Sequence, residues 1–282
     1  MDKITAIAAI ARNLKDLIID ANPASISNAT GTVFMDFLEL IHPLADQLAG
    51  KAAYIYDGGG AGQQRISTGF LTATNRVVFG RTFTTAPSTN SDVLMFSHWD
   101  KDDYDNALER LIGKARLVHL EEKVATMELV GSQYAYLVPS GFEYISALRI
   151  VPSGGDLDYE ADDEVNRIFE IHPRNFTIEP NAGGSFLIVI DPRKVSIDAV
   201  LNQEWVHIIG QAPPDIAATD NADIPDGLEE FLINGACMLL ASQRISGKAN
   251  DEWVAKFRMY RDEQRTLEEY IHRPRYGKRV GG

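Results

Sequence analysis

Hydrophobic residues near the start of the chain recur at spacings of three and four, which is the period of one helix face. The apolar positions that share this face are Ile4, Ile7, Ala11, Leu14 and Ile18. The segment MDKITAIAAIARNLKDLIID therefore predicts an N-terminal helix over residues 1–22. Arg12, Lys15 and Asp16 interrupt the apolar run and no A-x-A-like cleavage site follows, so we expect a helix and not a signal peptide.

Between residues 23 and 100 the pattern changes to short apolar runs. KAAYIYD, QRISTGF, NRVVFG and DVLMF are rich in β-branched and aromatic residues, and Gly, Asn, Pro and Ser clusters separate them. This pattern predicts a small antiparallel β-module over 23–100. The glycine cluster Asp57–Arg65 inside it lacks the G-K-[ST] of a phosphate loop, so we interpret it as a flexible hairpin tip.

A helical pattern returns over residues 101–119, where YDNALERLIGKARLVHL places apolar residues on one face. Asp102 or Asp103 is the expected N-cap. Between residues 120 and 210 the pattern again predicts strands, in ATMELV, QYAYLVP, EYISALRIVP, NRIFEI, NFTIEP and SFLIVI. Turn residues between these runs predict a β-sandwich-like domain.

The region 211–272 begins with the connection QAPPDIAATDNAD and continues as two helices. The first opens at Pro225 and is apolar on nearly all sides, which predicts burial among other helices. The second carries an aromatic seam at Trp253, Phe257, Tyr260 and Leu267. Two interpretations of the seam stay open: packing against the preceding helix, or a surface that also meets a neighbouring subunit.

The last segment, 273–282, reads RPRYGKRVGG and has four basic residues and no acidic one. The net charge of the whole chain is −13, so the rest of the chain carries −17. Such a segment is typical of an extended arm that docks on an acidic partner or on nucleic acid, and a merely solvated tail is the alternative.

Together these elements predict an α+β protein: a helical bundle built from the N-terminal helix, the central helix and two C-terminal helices, with antiparallel β-modules or a sandwich inserted and an extended C-terminal arm. A length of 282 residues can bury a core without disulfide or metal. The single cysteine, Cys237, lies in an apolar run and is expected in the core. No stretch has the roughly 18 apolar residues that a membrane span needs.

A net charge of −13 excludes a DNA clamp, because phosphate neutralisation supplies most non-specific DNA affinity. The same negative charge suits the wall of a channel through which DNA moves without binding.

The chain carries few catalytic or metal-binding patterns. Its six histidines are scattered, and the sequence contains neither H-E-x-x-H nor a G-x-S-x-G elbow. The acidic residues of 156–164 alternate like calcium-loop ligands, but Ala161 stands where glycine is needed and Arg167 where a glutamate should close the shell. We interpret this run as a solvated acidic loop. We expect no cofactor and no enzymatic activity.

Five segments in this order resemble the head-to-tail adaptor, or neck, proteins of tailed bacteriophages. They are ITAIAAIARNLKDLIIDA, GQQRISTGFLTATNRVVFGRTFTTAPSTNSDVLMF, KDDYDNALERLIGKARL, SQYAYLVPSGFEYISALRIVP and DIPDGLEEFLINGACMLLASQR. The first, third and fifth are similar to helices of that family. The second is similar to its small β-module, and the fourth to its sandwich.

The resemblance implies a virion protein of the head-tail vertex, assembled in the host cytoplasm. It would form a ring, typically dodecameric, that binds the portal on one face and the tail or a further neck protein on the other. DNA would pass through the channel during genome ejection without sequence-specific binding. In some relatives the C-terminal arm inserts into the portal, and here that role would fall on Arg273, Arg275, Tyr276, Lys278 and Arg279.

Two other functions stay open from the residues alone. β-modules with Tyr and Trp also suit a carbohydrate-binding or receptor-binding tail component. A carboxylate-based hydrolase is the third, because its paired acids meet only in space.

Overall fold

The structure is a computed structural model, and it divides the chain into two compact units, Met1–Lys114 with Ile216–Ile271, and Ala115–Asp215 with His272–Gly282. The described residues are 1–29, 31–37, 47–71, 73–74, 76–151, 169–197, 204–216, 223–245, 251–271 and 277–280. Helices and antiparallel sheets occur together, so the predicted α+β class is confirmed. The acidic run 156–164 lies outside the described residues.

The first helix, α1 (Lys3–Asn13), is shorter than the sequence predicts. It begins at Asp2, whose carboxylate accepts a hydrogen bond from the Thr5 backbone N–H at 2.7 Å, as an N-cap does. It ends where Lys15 adopts a left-handed φ of 59°. The helix expected to residue 22 is therefore wrong beyond Asn13, and Ile18 lies in strand β1 (Leu17–Ala21). Pairing with the distant strand β8 (Asp92–Phe96) decides the conformation of this segment, which local periodicity cannot reveal.

Two four-stranded antiparallel sheets follow in the first unit. The remaining strands are β2 (Ser25–Ala29), β3 (Thr32–Asp36), β4 (Ala52–Asp57), β5 (Gln63–Ile66), β6 (Gly69–Leu71) and β7 (Arg76–Phe79). The sheet orders are β1-β8-β4-β5 and β2-β3-β7-β6. Side chains of both sheets, among them Met35, Ile55, Val77 and Met95, form one buried cluster.

The glycine-rich tip forms the expected hairpin between β4 and β5, and hydrogen bonds hold it in place. Ser91 is buried and its hydroxyl donates to the Gly59 carbonyl at 2.5 Å. The Gln63 side chain accepts from the Thr84 backbone N–H at 2.6 Å and donates to the Thr85 carbonyl at 3.0 Å. The tip is thus a packed turn, where the sequence led us to expect a flexible one.

The central helix, α2 (Lys101–Val118), begins before Asp102 and Asp103, the two residues expected as its N-cap. The Asp100 carboxylate accepts from the Asp103 backbone N–H at 3.0 Å, and the Asp103 carboxylate accepts from the Asp100 N–H at 3.2 Å. This reciprocal pair has the form of a capping box, so Asp100 is the N-cap and the prediction of Asp102 or Asp103 is wrong.

The described part of the first unit also contains the helices α3 (Glu229–Arg244) and α4 (Asp251–Ile271). The sequence predicts that α3 is buried among other helices, and seven of its 16 residues are buried, including Phe231, Leu232 and Cys237. Its polar ends, at Glu230 and Ser242–Arg244, are exposed. Gly235 lies where three helices meet, because a Cβ there would come within 2.7 Å of Leu111 on α2 and 3.0 Å of Gln264 on α4.

The second unit contains two antiparallel sheets that share one buried core. Its strands are β9 (Glu121–Glu128), β10 (Ala135–Leu137), β11 (Tyr144–Val151), β12 (Phe169–Ile171), β13 (Phe176–Pro180), β14 (Phe186–Ile190), β15 (Trp205–Ala212) and β16 (Lys278–Arg279). One sheet has the order β12-β11-β15-β9 with β16 added to β11, and the other has the order β10-β14-β13. Strand β15 was not predicted from the sequence, and it pairs with both β11 and β9.

Candidate functional site

Part of the predicted docking arm forms a strand on the second unit. Residues 277–280 are described, and Lys278 and Arg279 pair antiparallel with β11, in the register Ile145↔Lys278 and Tyr144↔Arg279. The Val280 backbone N–H donates to the Glu143 carbonyl at 2.7 Å. This part of the segment is therefore not the free arm that the sequence predicts. The other arm residues, Arg273, Arg275 and Tyr276, lie outside the described residues.

Gly277 sets the approach of this segment to β11. Its φ is +88°, in the left-handed region that favours glycine. A Cβ on Gly277 would lie 2.6 Å from the Ser146 Cα and nearer still to the carbonyl of Ile145. Because these are backbone atoms of a paired strand, they cannot move aside cheaply, and only glycine fits.

Lys278 anchors the segment through a half-buried side chain. Its Nζ donates to the Phe176 carbonyl and lies 4.8 Å from the centroid of the Phe176 ring. Burial lowers the pKa of this amine from its ordinary value. Lys278 therefore contacts its own unit, whereas Arg279 is exposed and stays open to a partner, as the arm prediction requires.

Val280 adds an apolar contact to the same core that Lys278 approaches. Its half-buried side chain packs against the core cluster of the sandwich. Three of the four described residues thus make specific contacts: a close backbone approach at Gly277, a partly buried cation at Lys278 and an apolar contact at Val280.

The predicted aromatic seam of α4 mostly packs within its own unit. Trp253 is buried, with its ring 5.2 Å from Trp99 in an edge-on arrangement. Tyr260 is buried and its hydroxyl donates to the Asn13 carbonyl at 3.1 Å. Phe257 and Leu267 are half-buried, so they retain surface for a neighbour. Both interpretations of the seam therefore have residues to support them.

A buried carboxylate that sequence reasoning missed organises the region around the seam. Asp16 is 0% exposed. Its oxygens accept hydrogen bonds from the Tyr104 hydroxyl at 2.6 Å, the His98 backbone N–H at 2.6 Å and the Trp99 backbone N–H at 3.5 Å. The His98 Nδ1 lies 2.8 Å from the same carboxylate. Burial and the Asp16 charge raise the pKa of Tyr104 far above its ordinary value, which keeps the hydroxyl protonated as a donor.

The sequence offers little signal for this cluster, since Asp16 is one charged residue among several after α1. Its partners lie more than 80 positions away, at separations of 82 to 88 residues. Only the pairing of β1 with β8 brings the end of α1 close to the start of α2.

The outer face of the β9–β15 sheet carries exposed apolar side chains. Val124 on β9 is 56% exposed and Trp205 on β15 is 47% exposed. Val124 lies opposite Ile209, and Trp205 opposite Glu128. Because successive residues of a strand alternate between faces, Val124, Ile209 and Trp205 share the face opposite to the buried Val206 and Ile208. On this face Thr126 and His207 lie between Trp205 and the Val124–Ile209 pair. We call Val124, Ile209 and Trp205 the apolar stripe; these two polar residues interrupt it, and Glu122 and Glu128 flank it.

Among the described residues, no group of three or more His, Cys, Asp or Glu side chains is placed to hold a metal ion. In the same part of the chain, no helix is long and apolar enough to cross a membrane. Cys237 is buried, as predicted, and burial raises the pKa of its thiol to about 12.

No protein-family model and no curated protein matches this chain. Among solved structures, it is similar to a chain described as the neck of an empty GTA particle computed with C6 symmetry, with 13% sequence identity over 64% of this chain and 78% of the other. The TM-score of this superposition is 0.23, which does not establish a shared fold.

Proposed function

We propose that this chain is a structural subunit of a homo-oligomeric ring that joins the head of a tailed phage-like particle to its tail, and that it is not an enzyme. The identity of the ring as a head-to-tail adaptor comes from the five sequence segments that resemble that family. The proposal that the chain associates with copies of itself is supported by its surface.

The main support for association of the chain with copies of itself is the apolar stripe on the outer face of the β9–β15 sheet. Val124 and Trp205 are about half exposed on a chain whose net charge is −13. Tryptophan is among the residues that most often dominate binding energy at interfaces, and an exposed valine on the same sheet face adds apolar area for a partner. In the ring, this stripe would meet an adjacent copy.

The charge of the chain fits a wall along which DNA slides. A surface with excess carboxylate repels phosphate, so DNA passes without being held. The ring would meet the portal on one face and the tail or a further neck protein on the other, and Arg279 is an exposed cation available for such contacts.

A structural role also accounts for the pair formed by His98 and Asp16 in the first unit. Asp16 is fully buried, and donors from His98, Trp99 and Tyr104 occupy its oxygens. A carboxylate with these partners holds chain segments together, and within the described part of the chain it is 0% exposed. We therefore assign Asp16 to stability.

The test is native mass spectrometry of the purified chain together with electron microscopy of intact particles. We expect rings in solution or at the head-tail vertex. Trp205→Ala and Val124→Glu should reduce assembly, whereas Leu137→Glu should not, because Leu137 is an exposed apolar residue of the other sheet, 62% accessible. The chain located away from the unique vertex would overturn the proposal.

The second candidate is a glycan-binding tail component, which the exposed Trp205 and Tyr270 favour. Their exposed fractions are 47% and 78%, and flat exposed rings stack on sugars. Glycan-array binding that Trp205→Ala abolishes, together with a peripheral position in the particle, would select this candidate over the ring.

A further inference from the structure

We propose that the edge of β11 at Glu143–Ile145 is a strand-acceptor site for the segment Gly277–Val280, and that in the assembled ring a second copy of this chain supplies that segment. The second half rests on the proposed ring function, while the acceptor site itself does not.

The acceptor is the part of one edge of β11 that β12 does not cover. On one side β11 pairs along its whole length with β15. On the other side β12 pairs only with Leu148–Ile150. The segment at 278–279 takes the position beside Tyr144 and Ile145 that β12 leaves open. The added strand therefore satisfies backbone groups at an edge that would otherwise be exposed.

The site distinguishes its ligand by sequence. It requires glycine at the first position, because of the φ of +88° and the close approach to Ile145 and Ser146. It prefers lysine at the second position, where an amine reaches the Phe176 carbonyl. The fourth position meets the sandwich core through Val280. The third position, Arg279, is exposed and should tolerate substitution.

A second copy is the occupant that these observations favour. Every copy carries the one sequence that the site is known to fit. If another copy supplied the segment, the same hydrogen bonds would form. The exchange therefore changes the free energy little, apart from the entropic advantage of a segment that is linked to its own chain. Charge also favours docking on a second copy. All charged residues of the segment 273–282 are basic, whereas the rest of each copy has a net charge of −17. The contact is short, with two paired residues, which makes release and exchange feasible.

The acceptor half is tested on the full-length Gly277→Ala chain, whose own segment cannot dock. A synthetic peptide of residues 272–282 should bind this variant, and the same peptide with Gly277→Ala should bind at least tenfold more weakly. The matched control is the Gly183→Ala chain, since Gly183 also has a positive φ, of 75°, but has open space around it. That control should keep its own segment docked and bind little peptide. Equal binding of the two peptides would overturn the acceptor site.

The exchange half is tested with single cysteines on two differently tagged chains. The Val280 N–H bond to the Glu143 carbonyl makes Tyr144↔Arg279 a non-hydrogen-bonded pair, whose side chains lie closest in an antiparallel ladder. A Tyr144→Cys chain co-assembled with an Arg279→Cys chain should form interchain disulfides. Arg149→Cys, further along the same strand, serves as the mismatched partner and should form few.

The outcomes separate the two proposals. Interchain disulfides at Tyr144→Cys in assembled rings support exchange. Rings without them, together with an intrachain disulfide in the chain that carries both cysteines, overturn exchange and leave the ring function standing. Absence of rings in native mass spectra and in particles contradicts the ring function and the exchange together, while peptide binding still decides the acceptor site.

Discussion

Replacing the buried carboxylate of Asp16 tests how the first unit is held together. In Asp16→Ala, the Tyr104 hydroxyl and the two His98 nitrogens lose their acceptor. A hydrogen bond to a charged group contributes about 1.5–3 kcal/mol, and buried donors left unsatisfied add a further cost. Since the solvent-exposed part of His98 can recover water, we expect a loss of about 3–5 kcal/mol in the free energy of unfolding.

A double-mutant cycle isolates the contribution of Tyr104. Tyr104→Phe alone should cost about 1.5–3 kcal/mol, because it removes one bond to the carboxylate. In the double variant the lost hydroxyl no longer needs a partner. The combined loss should therefore be smaller than the sum of the single losses by about 1 kcal/mol or more.

The assay is urea unfolding followed by tryptophan fluorescence, since Trp99 and Trp253 lie beside this cluster. Asp262→Ala is the control, because Asp262 is exposed and its loss should change stability by no more than about 0.5 kcal/mol. A loss below about 1 kcal/mol for Asp16→Ala, or strict additivity with Tyr104→Phe, would refute the structural role argued for this carboxylate.

Three further outcomes are expected. Gly235→Val should lower the unfolding free energy by about 1–3 kcal/mol through overpacking against Leu111, as measured by urea unfolding; an unchanged midpoint would contradict the packing. Gln264→Leu should raise stability by about 1 kcal/mol or more, because both polar atoms of Gln264 are buried and have no hydrogen-bond partner among the described residues; a destabilised variant would show that these atoms do contribute to stability. Burial lowers the pKa of Lys278 below 10.5, so the unfolded chain holds this proton more tightly. Stability of the second unit should therefore rise as pH increases towards 10.5, and the rise should be smaller in Lys278→Met in thermal unfolding at matched pH values.

Segments with strong local patterns were predictable from the sequence. Two helices were predicted from such patterns, one from the period of three and four over residues 101–118 and one from the aromatic seam of α4. The structure contains both. Several β-runs, such as DVLMF and SFLIVI, became strands β8 and β14 because β-branched and aromatic residues fit a pleated sheet wherever it forms.

Prediction failed where a distant partner decides the conformation. Leu17–Ala21 has a helical period but pairs with β8. The run Trp205–Ala212 contains two adjacent isoleucines and a glycine without clear alternation, and its place between β9 and β11 makes it a strand. The Asp16 cluster belongs to the same class, because its donors come from elements that only the folded chain brings together.

The sequence by itself determined the α+β class, the buried character of α3 and Cys237, and the separation of a basic end from an acidic body, because these depend on composition and on short-range periodicity. The tertiary structure alone decided that Lys278 and Arg279 lie as a strand on β11 and that Gly277 permits it. A sheet edge open to a new strand arises from pairing between residues far apart in the chain, and no local pattern encodes such an edge.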